Sequence, residues 1–260
     1  MPRVMTYNVH RCIGSDRWLS PERIASVIAD AEPDIVLLQE LDVGRLRTGG
    51  IDQAHMIARE LGMQMHFHAA LHVLEERYGD AVLTARPSRL IRAGHLPGMA
   101  SRPKLEPRGA LWAALDMDGI ELQVLTTHFG FAPEENLAQT EALLGADWLG
   151  HPACTDPAIV AGDFNVVPWS RGYRRLSRRL RDAQVAAGRP MPQATFPARW
   201  PFLRIDHLFV SPSIRVLQTK TLRTALTRVA SDHLPLVMDF EIAVPAAPSE
   251  PRLRARPLPS

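Results

Sequence analysis

The sequence predicts an α+β protein in which two β-sheets pack against each other and helices cover their outer faces. Short apolar segments typical of strands outnumber the helical segments, and the two kinds do not alternate with the regularity of βαβ units. Asp118-Gly119 also joins two apolar segments in the manner of a β-hairpin. Hydrophobic residues make up 46% of the 260-residue chain and charged residues 22%, as in an ordinary globular protein.

The N-terminal part of the chain contains two predicted strands and two predicted helices. The strands are residues 3–9 and 34–40, and the helices are residues 20–31 and 52–62. Ser20 can cap the first helix, and Pro21 suits its first turn. Gly62 ends the second helix, because glycine readily adopts the left-handed conformation of a helix C-terminus.

The middle of the chain is dominated by strands. The predicted elements are strands at residues 63–71, 80–86, 109–117 and 120–129, followed by a helix at residues 133–150. The last two strands form the hairpin at Asp118-Gly119. Pro133 and the two acids that follow it suit the first turn of the helix.

The C-terminal part has three more predicted strands and one helix rich in arginine. The strands are residues 158–164, 204–210 and 234–242, and the helix is residues 171–183. Its arginines, from Arg171 to Arg181, are either a solvated helix face or a surface for a lipid headgroup or nucleic-acid backbone. Trp200 and Phe202 precede the second strand, where they either pack, stack on a base or contact a lipid interface.

Charge and cysteine content restrict the class of protein. The Pro/Arg-rich segment 244–260 carries the whole net charge of +2 and is expected to be a disordered tail. The neutral body, residues 1–243, is unlike an obligate nucleic-acid binder. Two cysteines, the absence of an apolar run of ~20 residues and a strand-like N-terminus predict a cytoplasmic protein without a transmembrane segment. We expect it to be a monomer.

Several predicted strands end in a polar residue, which is unfavourable in a core unless the polar group has a partner. These residues are Asn8, Glu40, His128, Asp163, Asn165, Asp206, His207, Ser231, Asp232 and His233. If the strand ends converge, carboxylates and imidazoles share one site, and the carboxylates repel one another unless a cation is present. Oxygen ligands favour a hard divalent ion, Mg²⁺ before Zn²⁺.

In order along the chain, "NVH", "LQE", "THFG", "GDFN", "RIDHLFV" and "SDHLP" resemble the motifs of the endonuclease/exonuclease/phosphatase superfamily of metal-dependent phosphoesterases. The resemblance extends from residue 3 to about residue 241. It implies a four-layer αββα sandwich of the DNase I-like type, formed by two packed mixed sheets and flanking helices. It also makes residues 1–243 the expected catalytic domain.

The resemblance implies a role for each matching residue. Glu40 would be the principal ligand of Mg²⁺, for which Mn²⁺ could substitute, and Asn8 and Asp232 would lie near the metal. Asp163 would orient or deprotonate the attacking water. Asn165 would hold a phosphoryl oxygen and stabilise the transition state.

The two histidines complete the implied site. His233 would contact the phosphate, with its ring fixed by Asp206, and either His233 or Asp163 would act as the base. His128 would face the phosphate and protonate the leaving group, paired with Glu76 of "ERY". Asp80 departs from the asparagine that many members carry, and it would either add a metal contact or repel an anionic substrate.

The resemblance leaves several substrates open. A small-molecule or phospholipid phosphodiester is preferred, with peripheral membrane contact, because the body is neutral and no aromatic-rich loop of the repair-nuclease kind precedes "RID". A DNA endonuclease or exonuclease is the alternative. A phosphomonoesterase and a binding module without catalysis rank lower, since every catalytic position carries competent chemistry.

Overall fold

The computed structural model describes residues 1–188 and 191–243, and the predicted tail lies outside them. Two six-stranded sheets pack face to face. The first contains β1 (Arg3–Asn8), β2 (Ile35–Val43), β3 (Gln64–Val73), β4 (Glu76–Thr84), β11 (Ile214–Thr221) and β12 (Leu236–Ile242). The second contains β5 (Ser88–His95), β6 (Gly109–Met117), β7 (Ile120–His128), β8 (Ala158–Asp163), β9 (Arg181–Asp182) and β10 (Asp206–Val210).

Both sheets are mixed. Their strand orders are β11-β12-β1-β2-β4-β3 and β5-β6-β7-β8-β10-β9. In each sheet one central pair is parallel, β1 with β2 and β7 with β8, and the other pairs are antiparallel. Because the strands of each parallel pair run in the same direction, the C-terminal ends of β1 and β2, and of β7 and β8, lie side by side at one edge of their sheet.

Six helices accompany the sheets in the described residues. They are α1 (Pro21–Ala29), α2 (Gln53–Leu61), α3 (Pro133–Leu144), α4 (Arg171–Leu176), α5 (Ala183–Ala186) and α6 (Thr227–Ala230). Short 3₁₀ helices cover His10–Cys12 and Leu46–Thr48. As predicted, the Ser20 hydroxyl accepts a hydrogen bond at the start of α1, and Gly62 ends α2 in the left-handed conformation. No helix among the described residues is both long and apolar enough to cross a membrane.

Three buried apolar layers hold this arrangement together. The central layer lies between the sheets and includes Val4, Leu37 and Leu111. A second layer packs α1 and α2 on the first sheet, and a third packs α3 and α4 on the second. The predicted αββα sandwich is therefore confirmed.

Two predicted helices are wrong in extent. The helix at residues 133–150 ends at Leu144. The helix at residues 171–183 is interrupted, because α4 ends at Leu176 and the chain then forms a turn, the two-residue β9 and α5. The predicted arginine helix is therefore not one helical face.

The arginines of this region are held in different ways. Arg175 pairs with Glu141 at 2.8 Å. Arg179 donates to the carbonyl oxygens of residues 144 and 149, and Arg181 donates to three carbonyl oxygens before and within β11. These three guanidinium groups bind parts of the fold, so a uniform anion-facing row does not exist.

Candidate active site

The polar strand ends do converge at one edge of the sandwich. In the second sheet, Asp163 at the end of β8 is in register with His128 of β7 and with Asp206 of β10. Residues opposite one another on paired strands share a face of the sheet. Asn8 and Glu40 come from β1 and β2 of the first sheet and meet this row from the other side.

Glu40 is placed by an irregularity in β2. The register of β2 against β4 shifts between Leu38 and Leu41, and Glu40 in the middle has a φ of 62°. A left-handed conformation costs a non-glycine residue of order 1–3 kcal/mol, and a bulge redirects the side chain at that point. The bulge turns the Glu40 carboxylate into the site, where its Oε1 lies 3.9 Å from Nε2 of His128.

Asn8 joins the two sheets at the site. Its amide nitrogen donates to Oε1 of Glu40 and to Oδ2 of Asp163, both at 3.0 Å. Its side-chain oxygen Oδ1 accepts from the backbone N–H of His10. Asn8 is fully buried, so it holds the two carboxylates at a fixed separation. Its predicted place beside the metal remains a prediction.

Asp163 is the centre of the cluster. Its Oδ2 lies 3.6 Å from Nε2 of His128 and 3.6 Å from Nε2 of His233, and its Oδ1 accepts from the backbone N–H of Asn165. Burial, followed by the nearby Asp206 carboxylate, raises the pKa of Asp163 to about 7. Two imidazole nitrogens thus point at one buried carboxylate at distances slightly too long for a hydrogen bond.

Asp206 fixes the ring of His233. Its Oδ2 lies 2.8 Å from Nδ1 of His233 and accepts from the Thr195 hydroxyl at 2.5 Å. The Phe196 ring packs against the imidazole, with 4.8 Å between the centroids. Burial alone would lower the pKa of His233, but the carboxylates of Asp206 and Asp163 raise it to about 10.

His128 has a different partner from the one predicted. The nearly buried Arg108 donates from Nη1 to Nδ1 of His128 at 2.9 Å and is itself paired with Glu106. Because arginine has no acceptor, Nδ1 must accept, and the neutral ring carries its proton on Nε2. Burial, Arg108 and His233 hold the pKa of His128 well below its usual range.

The predicted Glu76–His128 pair is wrong. Glu76, at the start of β4, accepts from the Arg45 guanidinium and from the backbone N–H of Leu46, both at 3.1 Å. The sequence "ERY" matches by pattern, but Arg45 neutralises its glutamate outside the cluster, and Arg108 takes the place beside the histidine.

Asp80 lies beneath the cluster and is almost fully buried. Burial raises its pKa to about 8; Arg108 opposes this shift and Glu40 adds to it. Whether Asp80 contacts the metal or repels an anionic substrate remains a prediction.

Asn165 also sits in the left-handed conformation, with a φ of 49°. Its amide nitrogen donates to the carbonyl oxygen of Phe129 at 2.8 Å, and one amide hydrogen is left for another acceptor.

Asp232 lies further out, with a side chain that is 40% exposed and an oxygen 3.8 Å from Nδ1 of His10. His207 is outside the cluster, because its Nε2 donates to the Val166 carbonyl instead.

The donor atoms fit a hard divalent cation. Asp163, Asp206 and His233 form a buried group whose ligand atoms lie within 4.8 Å of one another, and Glu40 adds a carboxylate nearby. Two buried polar atoms here, Oδ1 of Asp206 and Nε2 of His128, have no hydrogen-bond partner. A cation would satisfy the carboxylate oxygen of Asp206, and a bound anion would accept from Nε2 of His128.

Two residues that touch the cluster were missed by sequence reasoning. Arg108 precedes β6, and Thr195 lies on the loop before β10. Neither belongs to a recognisable motif, and each reaches the site only through long-range packing. Its position just before the predicted strand 109–117 was the one available signal for Arg108.

Comparisons with known proteins agree with this geometry. A sequence model described as "Endonuclease/Exonuclease/phosphatase family" matches residues 5–233. The chain is 26% identical to uncharacterized protein YbhP of Escherichia coli K12, over 92% of this chain and 96% of that protein.

Solved structures show the same fold. An endonuclease/exonuclease/phosphatase from Bacteroides vulgatus has a TM-score of 0.75 and 22% identity, over 93% of this chain and 98% of that one. The Bacteroides thetaiotaomicron mannosyl-6-phosphatase Bt3783 has a TM-score of 0.73 and 21% identity, over 93% and 100%.

Proposed function

The chain belongs to the endonuclease/exonuclease/phosphatase family, and from that premise we propose that it is a Mg²⁺-dependent phosphodiesterase that hydrolyses a small phosphodiester by in-line attack of water. Family members typically hydrolyse phosphoester bonds and generally need a divalent metal. The observation that carries the proposal is the pair of imidazole nitrogens aimed at the buried Asp163 carboxylate.

In this proposal the cluster receives the phosphoryl group between the two histidines. Nε2 of His128, which is buried without a partner, donates to one phosphoryl oxygen, and Nε2 of His233 donates to another. Asn165 donates its remaining amide hydrogen to the same group. Each donor is held in place beforehand by Arg108, Asp206 or Phe129, so little reorganisation accompanies the reaction.

The water-activating role falls to Asp163. Asp163 lies 3.6 Å from Nε2 of both imidazoles, and Asn8 and the Asn165 backbone fix its orientation. Asp163 accepts the proton of the attacking water, and the departing alkoxide takes a proton from solvent. His233 acts as a donor held by Asp206, and His128 acts as a neutral donor rather than as the leaving-group acid. Glu40, with Asn8 and Asp232 nearby, would hold Mg²⁺, which supplies charge neutralisation of the phosphoryl oxygens when bound.

A single panel of substrates tests the proposal. Initial rates are measured with bis-p-nitrophenyl phosphate, p-nitrophenyl phosphate, plasmid DNA and phospholipid vesicles, each with Mg²⁺, Mn²⁺ or excess EDTA. We expect metal-dependent hydrolysis, fastest on a diester of low molecular mass. Cleavage of DNA at a higher kcat/KM would establish the nuclease alternative. Full activity in EDTA would overturn metal dependence.

Two single variants, Asp163→Asn and His233→Ala, test the proposed roles of these residues in catalysis. Both are expected to lower kcat by several orders of magnitude and to change KM little, because their contacts strengthen in the transition state. A large rise in KM with an intact kcat would show that these residues only bind the ester. We also propose that the protein is a cytoplasmic monomer; the free Cys12 and Cys154 support the cytoplasmic location.

A further inference from the structure

A cavity of about 530 Å³ opens directly beside the catalytic cluster. Its walls include Phe131, Asn165, Val167, Trp169, Arg171 and Arg174. Asn165 connects the cluster with the cavity, because its backbone N–H donates to Asp163 and Asn165 also lines the cavity. A group attached to a phosphate in the cluster would therefore extend into this cavity. Its volume lies within the range of sites for small organic ligands.

Two large aromatic rings line the cavity without being packed. Phe131 is 75% exposed and Trp169 is 73% exposed. The Arg108 guanidinium lies 6.0 Å from the centroid of the Phe131 ring. Exposed rings beside a reactive site offer flat surfaces to a planar group, and they lose unfavourable contact with water when such a group binds.

The same cavity carries an excess of positive charge. Within residues 1–188 and 191–243, Arg171 and Arg174 form no ion pair, whereas their neighbour Arg175 is paired with Glu141. One acid, Glu134, also lines the cavity. Arg174 donates from Nε to the Ser170 carbonyl oxygen at 3.3 Å, which leaves its charge uncompensated. Two guanidinium groups without an ion pair in the described part of the chain, against one carboxylate, favour an anionic ligand.

We propose that this cavity is the substrate subsite for a nucleotide-type group, in which a planar base stacks on Trp169 and Phe131 and an additional anionic group binds Arg171 and Arg174. The inference rests on the proposed function, since it names the substituent of the phosphoester that the cluster cleaves. A lipid chain fits this cavity less well, because it would leave the guanidinium groups of Arg171 and Arg174 without an anionic partner.

The test compares ligands that differ only in the base. Affinities of adenosine 5′-monophosphate and ribose 5-phosphate are measured by calorimetry with Mg²⁺ in an Asp163→Asn background, where turnover does not interfere. Stacking on an aromatic side chain is worth enough to predict about tenfold tighter binding of the adenosine compound. Trp169→Ala should remove this difference and leave the affinity for ribose 5-phosphate unchanged.

Trp200→Ala is the matched control, because Trp200 is 71% exposed and does not line the cavity. Equal affinities of the two ligands in the Asp163→Asn protein, or equal losses in both tryptophan variants, would overturn the proposal. Thermal melting of each variant excludes misfolding, and Phe131→Ala provides a second reading of the stacking surface.

The charge of the cavity is tested with a third ligand. Adenosine 3′,5′-bisphosphate should bind more tightly than the monophosphate, and Arg171→Gln combined with Arg174→Gln should remove that gain. Arg178→Gln, outside the cavity, should not. A gain that persists in the double variant contradicts the assignment of the arginines.

Failure of the proposed function would look different. If the wild type hydrolyses no ester but the Asp163→Asn protein shows a Trp169-dependent preference for the adenosine compound, the catalytic proposal is overturned and the cavity assignment stands. If esters are hydrolysed but the base adds no affinity, the cavity assignment is overturned and the catalytic proposal stands.

Discussion

Replacing Asp206 by asparagine removes a negative charge beside His233 while keeping the shape of the side chain. Both partners of Asp206, Thr195 at 2.5 Å and His233 at 2.8 Å, use Oδ2, and Oδ1 has none. An asparagine with its carbonyl oxygen at that position keeps both hydrogen bonds. It changes a charge-assisted bond of ~1.5–3 kcal/mol into a neutral bond of ~0.5–1.5 kcal/mol.

The difference of about 1–2 kcal/mol corresponds to a fall in kcat of about 5- to 30-fold, if His233 donates to the phosphoryl group in the transition state. Asp206→Ala also loses the orientation of the ring, so its kcat should fall at least about tenfold further. The assay is the kcat for bis-p-nitrophenyl phosphate at saturating Mg²⁺. Unchanged kcat in both folded variants would refute the role of Asp206, and equal losses would show that its charge alone matters.

Three further predictions concern the metal, the second histidine and the fold. Glu40→Gln should nearly abolish Mg²⁺-dependent hydrolysis without lowering the melting temperature in EDTA, because one repelling carboxylate is gone. Arg108→Gln should lower kcat roughly tenfold by releasing the His128 ring, and Arg108→Lys should recover part of the loss; equal rates in all three proteins would contradict this. Burial alone would raise the pKa of the Asp182 carboxyl group. His207 and the ion pair with Arg204 outweigh this effect and lower the pKa to about 2. Since this folded-state pKa lies below the ordinary value of 3.8, the carboxylate contributes roughly 2 kcal/mol that is present above pH ~4 and is lost as the pH falls towards 2. Urea unfolding of Asp182→Asn should therefore show a loss of at least that size at pH 7 that shrinks in acid, with little change in kcat.

Local signals predicted the elements that depend on local interactions. Ser20 and Gly62 marked the ends of helices because capping is decided within a few residues. The missed strands β5 and β11 are the outer strands of their sheets, so they are partly exposed and lack a clear apolar pattern. The interrupted helix after Leu176 was missed because long-range contacts hold that segment: β9 pairs with β10, and Arg181 binds carbonyl groups near β11.

The same contrast between local signals and long-range contacts applies to the candidate site. The polar strand ends predicted that His128, Asp163, Asp206 and His233 would come together, because the ends of neighbouring strands meet at one edge of a sheet. The partner of His128 could not be predicted, since Arg108 is brought beside it by the pairing of β6 with β7. The Glu40 bulge was also invisible, because the sequence "LQE" gives no sign of a left-handed residue.

The central claim is that this cluster directs water onto phosphorus. Its most direct test is the hydrolysis of bis-p-nitrophenyl phosphate in ¹⁸O-labelled water with Mg²⁺, followed by mass spectrometry of both products. We expect one ¹⁸O atom to enter p-nitrophenyl phosphate and none to enter p-nitrophenol. Label in the phenol, or an unlabelled phosphate product, would contradict it.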